Sequence, residues 1–432
     1  MQMPIGKYRW TICALVFFAT TINYLDRQVL SLVKGELDIE FGWTKTDYAN
    51  ITAAFQFAYA IGMLGVGRLI DKLGTKIGYA ISLVFWSIAA MCHGFIRSTS
   101  GFFVARAALG VTEAGNFPAA IKTVTEWFPK KERSFATGIF NAGTNIGAIV
   151  APLSVPFIAA EFGWRTAFVA TGAIGLIWLI FWFWLYEIPA KHKKLSKAEF
   201  DYIHSDIEEK KEAQADAKKY PWIKLFGFRQ TWAFTLGKFF TDGPWWFYLF
   251  WLPDFLTEQY GLVKTDLAMP VAVVYSIAAF GSVLGGWMPG YLIGKGWPVF
   301  KARKTAMFFY ALLTVPVVVA QFMGGFNMWL AVLIIGFVAS AHQAWSANLY
   351  TIVSDMFPKH AVASVIGIGG MAGALGSIVV SKSAGALFDY YKSLGKIQTG
   401  YYIMFIVCGL SYVTAWIIIH FLVPRMKRID EK

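Results

Sequence analysis

Residues 102–120 read FFVARAALGVTEAGNFPAA, a stretch apolar and long enough to cross a lipid bilayer, yet it contains Arg106 and Glu113. A second charged pair, Asp26 and Arg27, interrupts the first apolar stretch of the chain. An Arg or Asp at the middle of a membrane helix costs roughly 2.5 to 3.5 kcal/mol on insertion scales, so such residues usually face an aqueous cavity. The four charges therefore favour a membrane carrier whose cavity they line.

The composition excludes an ordinary soluble protein. Only 15% of the 432 residues are charged and 57% are hydrophobic, whereas soluble domains carry about 25% charged residues. Most of the chain must therefore contact membrane lipid. Cys13, Cys92 and Cys408 all lie in apolar stretches, so we expect neither a disulfide framework nor a metal site, and no cofactor.

Runs of about 20 apolar residues, the length that a hydrocarbon core of about 30 Å requires, predict an all-α polytopic membrane protein. About twelve transmembrane helices are expected, at residues 9–31, 47–70, 76–95, 99–127, 132–160, 164–187, 230–256, 267–292, 303–323, 327–354, 361–389 and 399–424. The predicted domains are an N-terminal six-helix bundle (1–189), a cytoplasmic linker (190–229) and a C-terminal six-helix bundle (230–432). The mixed charges of the linker suit either a surface helix or a flexible tether.

The basic residues lie on one side of the predicted membrane. They follow spans two, four and eight and occupy the C-terminal tail, at Arg68, Lys72, Lys76, Lys130, Lys131, Arg133, Lys295, Lys301, Arg303, Lys304, Arg425, Lys427 and Arg428. The connections on the other side are poor in Lys and Arg, so we expect both termini in the cytoplasm. This placement accounts for the net charge of +13 without a nucleic-acid partner. Lys7, Arg9 and the helix after them are interpreted as a retained span rather than a signal peptide.

The two halves of the sequence repeat. EWFPK at 126–130 returns as DMFPK at 355–359, an offset of 229 residues, and GRLIDK at 67–72 is echoed by GYLIGK at 290–295. Matches at equivalent helix ends predict parallel repeats related by an axis along the membrane normal. Substrate is then expected between the halves, near the bilayer midplane.

Residues 67–76, GRLIDKLGTK, resemble the signature loop of the major facilitator superfamily. The segments NYLDR at 23–27, from Ala105 to Gly115, and from Glu126 to Arg133 resemble the anion:cation symporter family, which includes hexuronate, galactonate and sialic acid carriers. Residues 342–348, HQAWSAN, look most like bacterial hexuronate transporters. The resemblance implies proton-coupled import of a sugar acid anion by alternating access across a bacterial inner membrane, and it assigns Arg27 and Arg106 to substrate or coupling roles.

A sugar acid needs a cation for its carboxylate, and the planar fork of Arg grips a carboxylate with two hydrogen bonds. Arg27 or Arg106 is the candidate, although each could instead be the structural partner of a neighbouring acid. Arg106 and Glu113 are seven residues apart and share a helix face, about 10.5 Å apart along the axis. We expect Asp26 and Glu113 to bind the driving protons, because substrate on the Arg would weaken its hold on the carboxylates.

The sugar hydroxyls and a flat apolar face need further ligands, predicted to be Gln56, Tyr59, Asn145, His342, Trp345 and Asn348. His342 lies 229 residues after Glu113, but a packed histidine bonded to a neighbour fits its position about as well. The spacing of three residues between His342, Trp345 and Asn348 predicts that they line one face. A break at Gly243–Pro244 in span seven would place Asp242–Tyr248 as a gate and pocket wall, or as lipid-facing aromatics.

The cytoplasmic gate is expected at the signature loop, at Gly67, Arg68, Asp71 and Arg133. In this interpretation Asp71 caps a helix and pairs with an Arg such as Arg133, closing the inside in one state. Arg68 could equally be an orientation signal alone. Glycines of spans five and eleven, such as Gly138 and Gly367, are expected to allow close helix contacts.

Other functions fit less well. A membrane-embedded enzyme needs a catalytic set such as HExxH, and the chain has none, so no catalytic residue is expected. A drug-efflux carrier would favour a wide apolar pocket over two buried arginines. Sodium coupling, and an aldonate or aldarate as substrate, remain open at this point, and we expect a monomer.

Overall fold

The structure, a computed structural model, describes residues 6–43, 45–205, 221–262, 268–425 and 427–429. The N-terminal half contains α1 (Tyr8–Leu32), α2 (Lys34–Phe41), α3 (Lys45–Leu73), α4 (Thr75–Cys92), α5 (Thr99–Glu113), α6 (Asn116–Trp127), α7 (Lys130–Phe162) and α8 (Trp164–Leu185). A short helix α9 (Lys197–Ile203) follows. The C-terminal half contains α10 (Arg229–Tyr260), α11 (Ala268–Gly294), α12 (Val299–Thr314), α13 (Ala320–Gly324), α14 (Met328–Met356), α15 (Val362–Ser393) and α16 (Ile397–Leu422).

Local sequence explains where several helices begin and end. The Ser98 side chain accepts a hydrogen bond from the Gly101 N–H at the start of α5, and Asn327 does the same for α14. Gly74 and Gly163 have φ values of 79° and 80°, a conformation that favours glycine, and they separate α3 from α4 and α7 from α8. These caps allow long helices to be joined by very short connections.

Nine helical segments of the described chain are long and apolar enough to cross a membrane. The other three predicted spans correspond to α1, to α5 with α6, and to α10. These are the helices that carry charged pairs in apolar sequence, namely Asp26 with Arg27, Arg106 with Glu113, and Lys238 with Asp242. Helices α1 and α10 are long enough but less apolar, as expected of helices that face a polar cavity rather than lipid. Helices α5 and α6 are each too short to cross a membrane alone, because span four is interrupted between them.

One prediction about helix continuity was wrong. The Gly243–Pro244 pair does not break span seven, because α10 runs without interruption from Arg229 to Tyr260. Neighbouring groups can satisfy the carbonyls that a proline leaves free in a membrane helix. The break falls instead in span four, where α5 ends at Glu113 and α6 begins at Asn116. Span nine is also divided, by a 3-10 turn at Val315–Val319.

The halves meet through two equivalent pairs of helices, α7 with α11 and α15 with α3. Under the sequence repeat α15 is the counterpart of α7, and α11 of α3, so the two contacts are related as a pseudo-twofold axis requires. Close approach depends on glycine. A Cβ on Gly67 would overlap the carbonyl oxygen of Ala363, and one on Gly138 would overlap that of Ser282.

Candidate substrate cavity between the halves

A polar cavity lies between the two halves and is lined by both. From the N-terminal half it is lined by Tyr24, Arg27, Phe55, Gln56, Tyr59, Met63, Phe117, Asn141 and Thr144. From the C-terminal half it is lined by Lys238, Asp242, Trp245, Trp246, His342, Gln343, Ser346, Tyr350, Gly370, Ala374, Ser377 and Ser381. The lining therefore combines cations, amides and hydroxyls with aromatic faces, which is what a charged polyol requires.

Arg27 is the cation of the N-terminal wall, and Glu113 holds it. The Arg27 Nε and Nη2 groups donate to Glu113 Oε2 at 3.0 and 2.9 Å, and the Glu113 side chain is fully buried. The guanidinium carbon lies 4.6 Å from the ring centre of Tyr24 and 5.1 Å from those of Phe55 and Tyr59. This aromatic cage stabilises the cation through its ring faces, while the planar edge of the guanidinium forms the hydrogen bonds to the Glu113 carboxylate.

Arg106 and Asp26 lie behind this wall rather than in it. Arg106 Nη1 donates to the backbone carbonyl of Arg27 at 3.5 Å, and Asp26 is 1% exposed, with Thr171 of α8 among its neighbours. Neither side chain lines the cavity. Asp26 and Arg27 are consecutive on α1, about 100° apart around the helix, so they face different sides. Of the two arginines left open by the sequence, Arg27 is the one that reaches the cavity.

A second ion pair forms the opposite wall. Lys238 Nζ lies 2.7 Å from Asp242 Oδ1, one helical turn along α10, and donates to the Tyr350 hydroxyl at 2.9 Å. Sequence analysis placed Asp242 in the pocket wall but overlooked Lys238. The signal was present, because Lys238 and Asp242 are charges within an apolar span, as Arg106 and Glu113 are.

Only part of the predicted face of α14 points into the cavity. His342 lines it, stacked on the Trp245 ring at 4.8 Å with its Nδ1 2.6 Å from the Tyr412 hydroxyl. Trp345 is fully buried against Tyr412, and both donors of the Asn348 amide bond to backbone carbonyls within the C-terminal half.

Helix geometry explains this correction. Steps of 100° place positions 345 and 348 about 60° and 120° from His342 in one direction. The other lining residues of α14 lie 40° to 100° away in the opposite direction, and they are Gln343, Ser346 and Tyr350. Three residues at spacings of three therefore fan across the helix instead of sharing one wall.

The remaining predicted ligands divide between two neighbouring cavities. Gln56 and Tyr59 line the main cavity, whereas Asn145 lines a smaller one beside it. Asn145 Oδ1 accepts a hydrogen bond from Gln343 Nε2 at 3.5 Å. Asn141, which sequence analysis missed, donates a hydrogen bond to Gln343 Oε1 and so joins the two halves within the cavity lining. The signal was present, because Asn141 lies one helical turn before Asn145 in the same span and shares its helix face.

At the predicted cytoplasmic gate the pairing of Asp71 with Arg133 was wrong. Asp71 Oδ1 lies 2.8 Å from Lys122 Nζ, and its Oδ2 accepts a hydrogen bond from the Ser364 N–H at 2.7 Å. Arg133 lies 3.7 Å from Asp355 and donates to the Ser354 carbonyl at 3.1 Å. Each residue therefore bridges to the C-terminal half separately.

Arg303 completes these contacts between the halves. Arg303 is fully buried, and within the C-terminal half it donates to Asp355 Oδ2 at 2.8 Å. It reaches the N-terminal half by donating to the Lys130 carbonyl at 2.8 Å and to the Ser134 hydroxyl. Arg68 lies at the edge of this region, 5.9 Å from the Trp222 ring. The halves are thus held together on the side that carries the basic connections.

The site contains no candidate metal centre. Across the described part of the chain, no cluster of three or more His, Cys, Asp or Glu side chains could hold a metal ion. The chemistry available to the cavity is ion pairing, hydrogen bonding and proton transfer to carboxylates.

Comparison with known proteins identifies the family. The model of the Major Facilitator Superfamily matches residues 16–381. The hexuronate transporter of Escherichia coli (strain K12) is 34% identical over 387 residues, 89% of each chain, and the D-galactonate transporter of Escherichia coli O6:H1 is 30% identical over 404 residues, 90% of this chain and 93% of the relative.

Solved structures agree on the fold. The proton:xylose symporter XylE matches with a TM-score of 0.75 at 16% identity, over 98% of both chains. The fucose:proton symporter FucP of E. coli matches with a TM-score of 0.69 at 16% identity, over 96% of this chain and 98% of that one. The all-α polytopic fold predicted from sequence is thereby confirmed. The chain belongs to the major facilitator superfamily, and it is an integral, multi-pass membrane transporter and not an enzyme.

Proposed function

We propose that this transporter is a proton-coupled symporter that imports a sugar acid anion by alternating access, and that its substrate is a hexuronate such as galacturonate or glucuronate. The observation that carries the proposal is the Arg27–Glu113 pair at the wall of a cavity lined by cations, amides, hydroxyls and aromatic rings from both halves. The names of the relatives, a hexuronate and a D-galactonate transporter, support an anionic sugar as the ligand.

Coupling follows from the burial of Glu113. A substrate carboxylate that binds Arg27 competes with Glu113 for the same N–H groups. Once displaced, the buried Glu113 would be an unpaired charge, which is strongly unfavourable, so proton binding to Glu113 accompanies substrate binding. Asp26, close behind the same wall, is the proposed second proton site, with Arg106 as its nearby cation.

Alternating access requires the two halves to rock about the cavity. We propose that residues 1–189 and 230–432 move as units, joined by the linker 190–229, with both termini in the cytoplasm. Opening to the inside must then break the contacts of Arg303 and Asp71 with the opposite half. These contacts, with the close approach at Gly67, form the proposed cytoplasmic gate.

Uptake of labelled galacturonate into proteoliposomes tests the proposal. With the outside more acidic than the inside, galacturonate should accumulate above its external concentration. A sodium gradient at equal pH should not drive this accumulation. Unlabelled glucuronate should compete, and xylose, which lacks a carboxylate, should not. Accumulation driven by a sodium gradient alone would show that sodium, and not the proton, is the coupling ion. Equal competition by xylose and glucuronate would show that the carboxylate is not recognised.

A further inference from the structure

The Lys238–Asp242 pair lies in the cavity wall opposite Arg27, and coupling at Glu113 makes no use of it. Its side chains are 6% and 16% exposed, and both contribute to the same lining as Arg27. Tyr24 lies within electrostatic range of both ion pairs. A ligand held at Arg27 therefore occupies the same cavity as Lys238 and Asp242.

The geometry of the pair suits hydroxyl groups. Lys238 has three N–H bonds, of which Asp242 and Tyr350 accept two among the described residues, so the third can be donated to a ligand. Asp242 Oδ2 lies against Gly373, where any side chain would displace it, and a carboxylate oxygen accepts from O–H donors. Donor and acceptor side by side can bind a hydroxyl that donates to one and accepts from the other.

The charge balance of the pair opposes a second carboxylate. Lys238 is already neutralised by Asp242 at 2.7 Å, so an anionic group brought to this wall would meet the Asp242 charge without a free cation. Like charges in a site of low dielectric constant repel strongly. Arg27 differs, because the acid that holds it is fully buried and is proposed to take up a proton.

We propose that Lys238 and Asp242 form a neutral subsite that binds the hydroxyls at the uncharged end of the substrate, and that Asp242 excludes a second carboxylate. The transporter then accepts sugar acids with one carboxylate and rejects aldarates, which have two. This inference rests on the proposed function, since it assumes that a sugar acid occupies the cavity.

Binding titrations in lipid nanodiscs test the inference with galacturonate, which has one carboxylate, and galactarate, which has two. The wild type should bind galacturonate at least about tenfold more tightly, equivalent to about 1.4 kcal/mol. Asp242→Asn keeps an oxygen acceptor and removes the charge, so the preference for galacturonate should fall by about tenfold or more. Glu258→Gln is the matched control, because Glu258 is on the same helix and pairs with the exposed Lys392; it should leave the ratio unchanged.

The double variant Lys238→Gln with Asp242→Asn separates charge from shape. Lacking both charges, it should gain less galactarate affinity than Asp242→Asn alone, and an equal gain would overturn the role of Lys238. The inference is overturned if Asp242→Asn leaves the ratio of galacturonate to galactarate affinity unchanged. It is also overturned if the wild type binds the two acids equally well, an outcome that does not depend on the folding of any variant. Failure of the wild type to bind either acid refutes the proposed function itself.

Discussion

Replacing Glu113 with Gln separates substrate binding from proton coupling. Glu113 Oε2 accepts both hydrogen bonds from Arg27, and Oε1 accepts none from the described residues. The Gln carbonyl oxygen can occupy the Oε2 position with the amide nitrogen at the Oε1 position, so the packing is conserved. The substitution removes the charge that competes with the substrate and the group that takes up the proton.

The magnitude follows from the two hydrogen bonds. Hydrogen bonds to charged groups contribute about 1.5 to 3 kcal/mol each, and in Glu113→Gln only the Arg27 side of each bond remains charged. Each Arg27 bond should therefore weaken from the upper to the lower part of this range, by about 1 kcal/mol. Freeing Arg27 from residue 113 then costs about 2 kcal/mol less, so galacturonate should bind about 30-fold more tightly. A gradient of one pH unit supplies about tenfold accumulation per coupled proton, so Glu113→Gln, which removes one of the two proposed proton sites, should lower the accumulation ratio at least about tenfold.

The assay uses proteoliposomes in which potassium and valinomycin clamp the membrane potential. Glu113→Gln should exchange labelled for unlabelled galacturonate, yet accumulate it at least about tenfold less than the wild type under a gradient of one pH unit. Glu258→Gln, which removes an exposed acid of α10, should accumulate substrate as the wild type does. Normal uphill accumulation by Glu113→Gln would remove Glu113 from the coupling mechanism.

Three further substitutions test other parts of the structure. Arg27→Lys loses one of two N–H bonds to a carboxylate, so galacturonate affinity measured by titration should fall about 10- to 100-fold; an unchanged affinity would mean that a point charge suffices. Asp355→Asn removes the charge that Arg133 of the N-terminal half faces at 3.7 Å, so the thiol of a Ser346→Cys variant should react about tenfold faster with a thiol reagent from the cytoplasmic side, a shift of about 1.4 kcal/mol; an equal rate would place the gate elsewhere. Hydrogen bonds from Arg165 lower the pKa of Glu40 in the folded protein. The stabilisation from this pair is therefore complete at any pH above the ordinary pKa of Glu, and it is lost only as the pH falls through the lowered pKa. Arg165→Gln should therefore leave the pH profile of uptake at neutral pH unchanged, and a shifted profile would assign the pair a role in transport.

The sequence alone determined the membrane class, the approximate span positions, the internal repeat and the charged residues that matter. These features depend on hydrophobic length and on the cost of charge in hydrocarbon, which are properties of local sequence. The same reasoning would have found Lys238 beside Asp242, because both are charges in an apolar span.

Only the tertiary structure decided which of these side chains face one another. Helical periodicity gives the angle between two residues of one helix, but the rotation of that helix against its neighbours depends on packing along its whole length. For this reason Arg27 rather than Arg106 reaches the cavity, and His342 lines it while Asn348 does not. The partner of Asp71 depended likewise on where α6 and α15 pack, since Lys122 and Ser364 are distant from it in sequence.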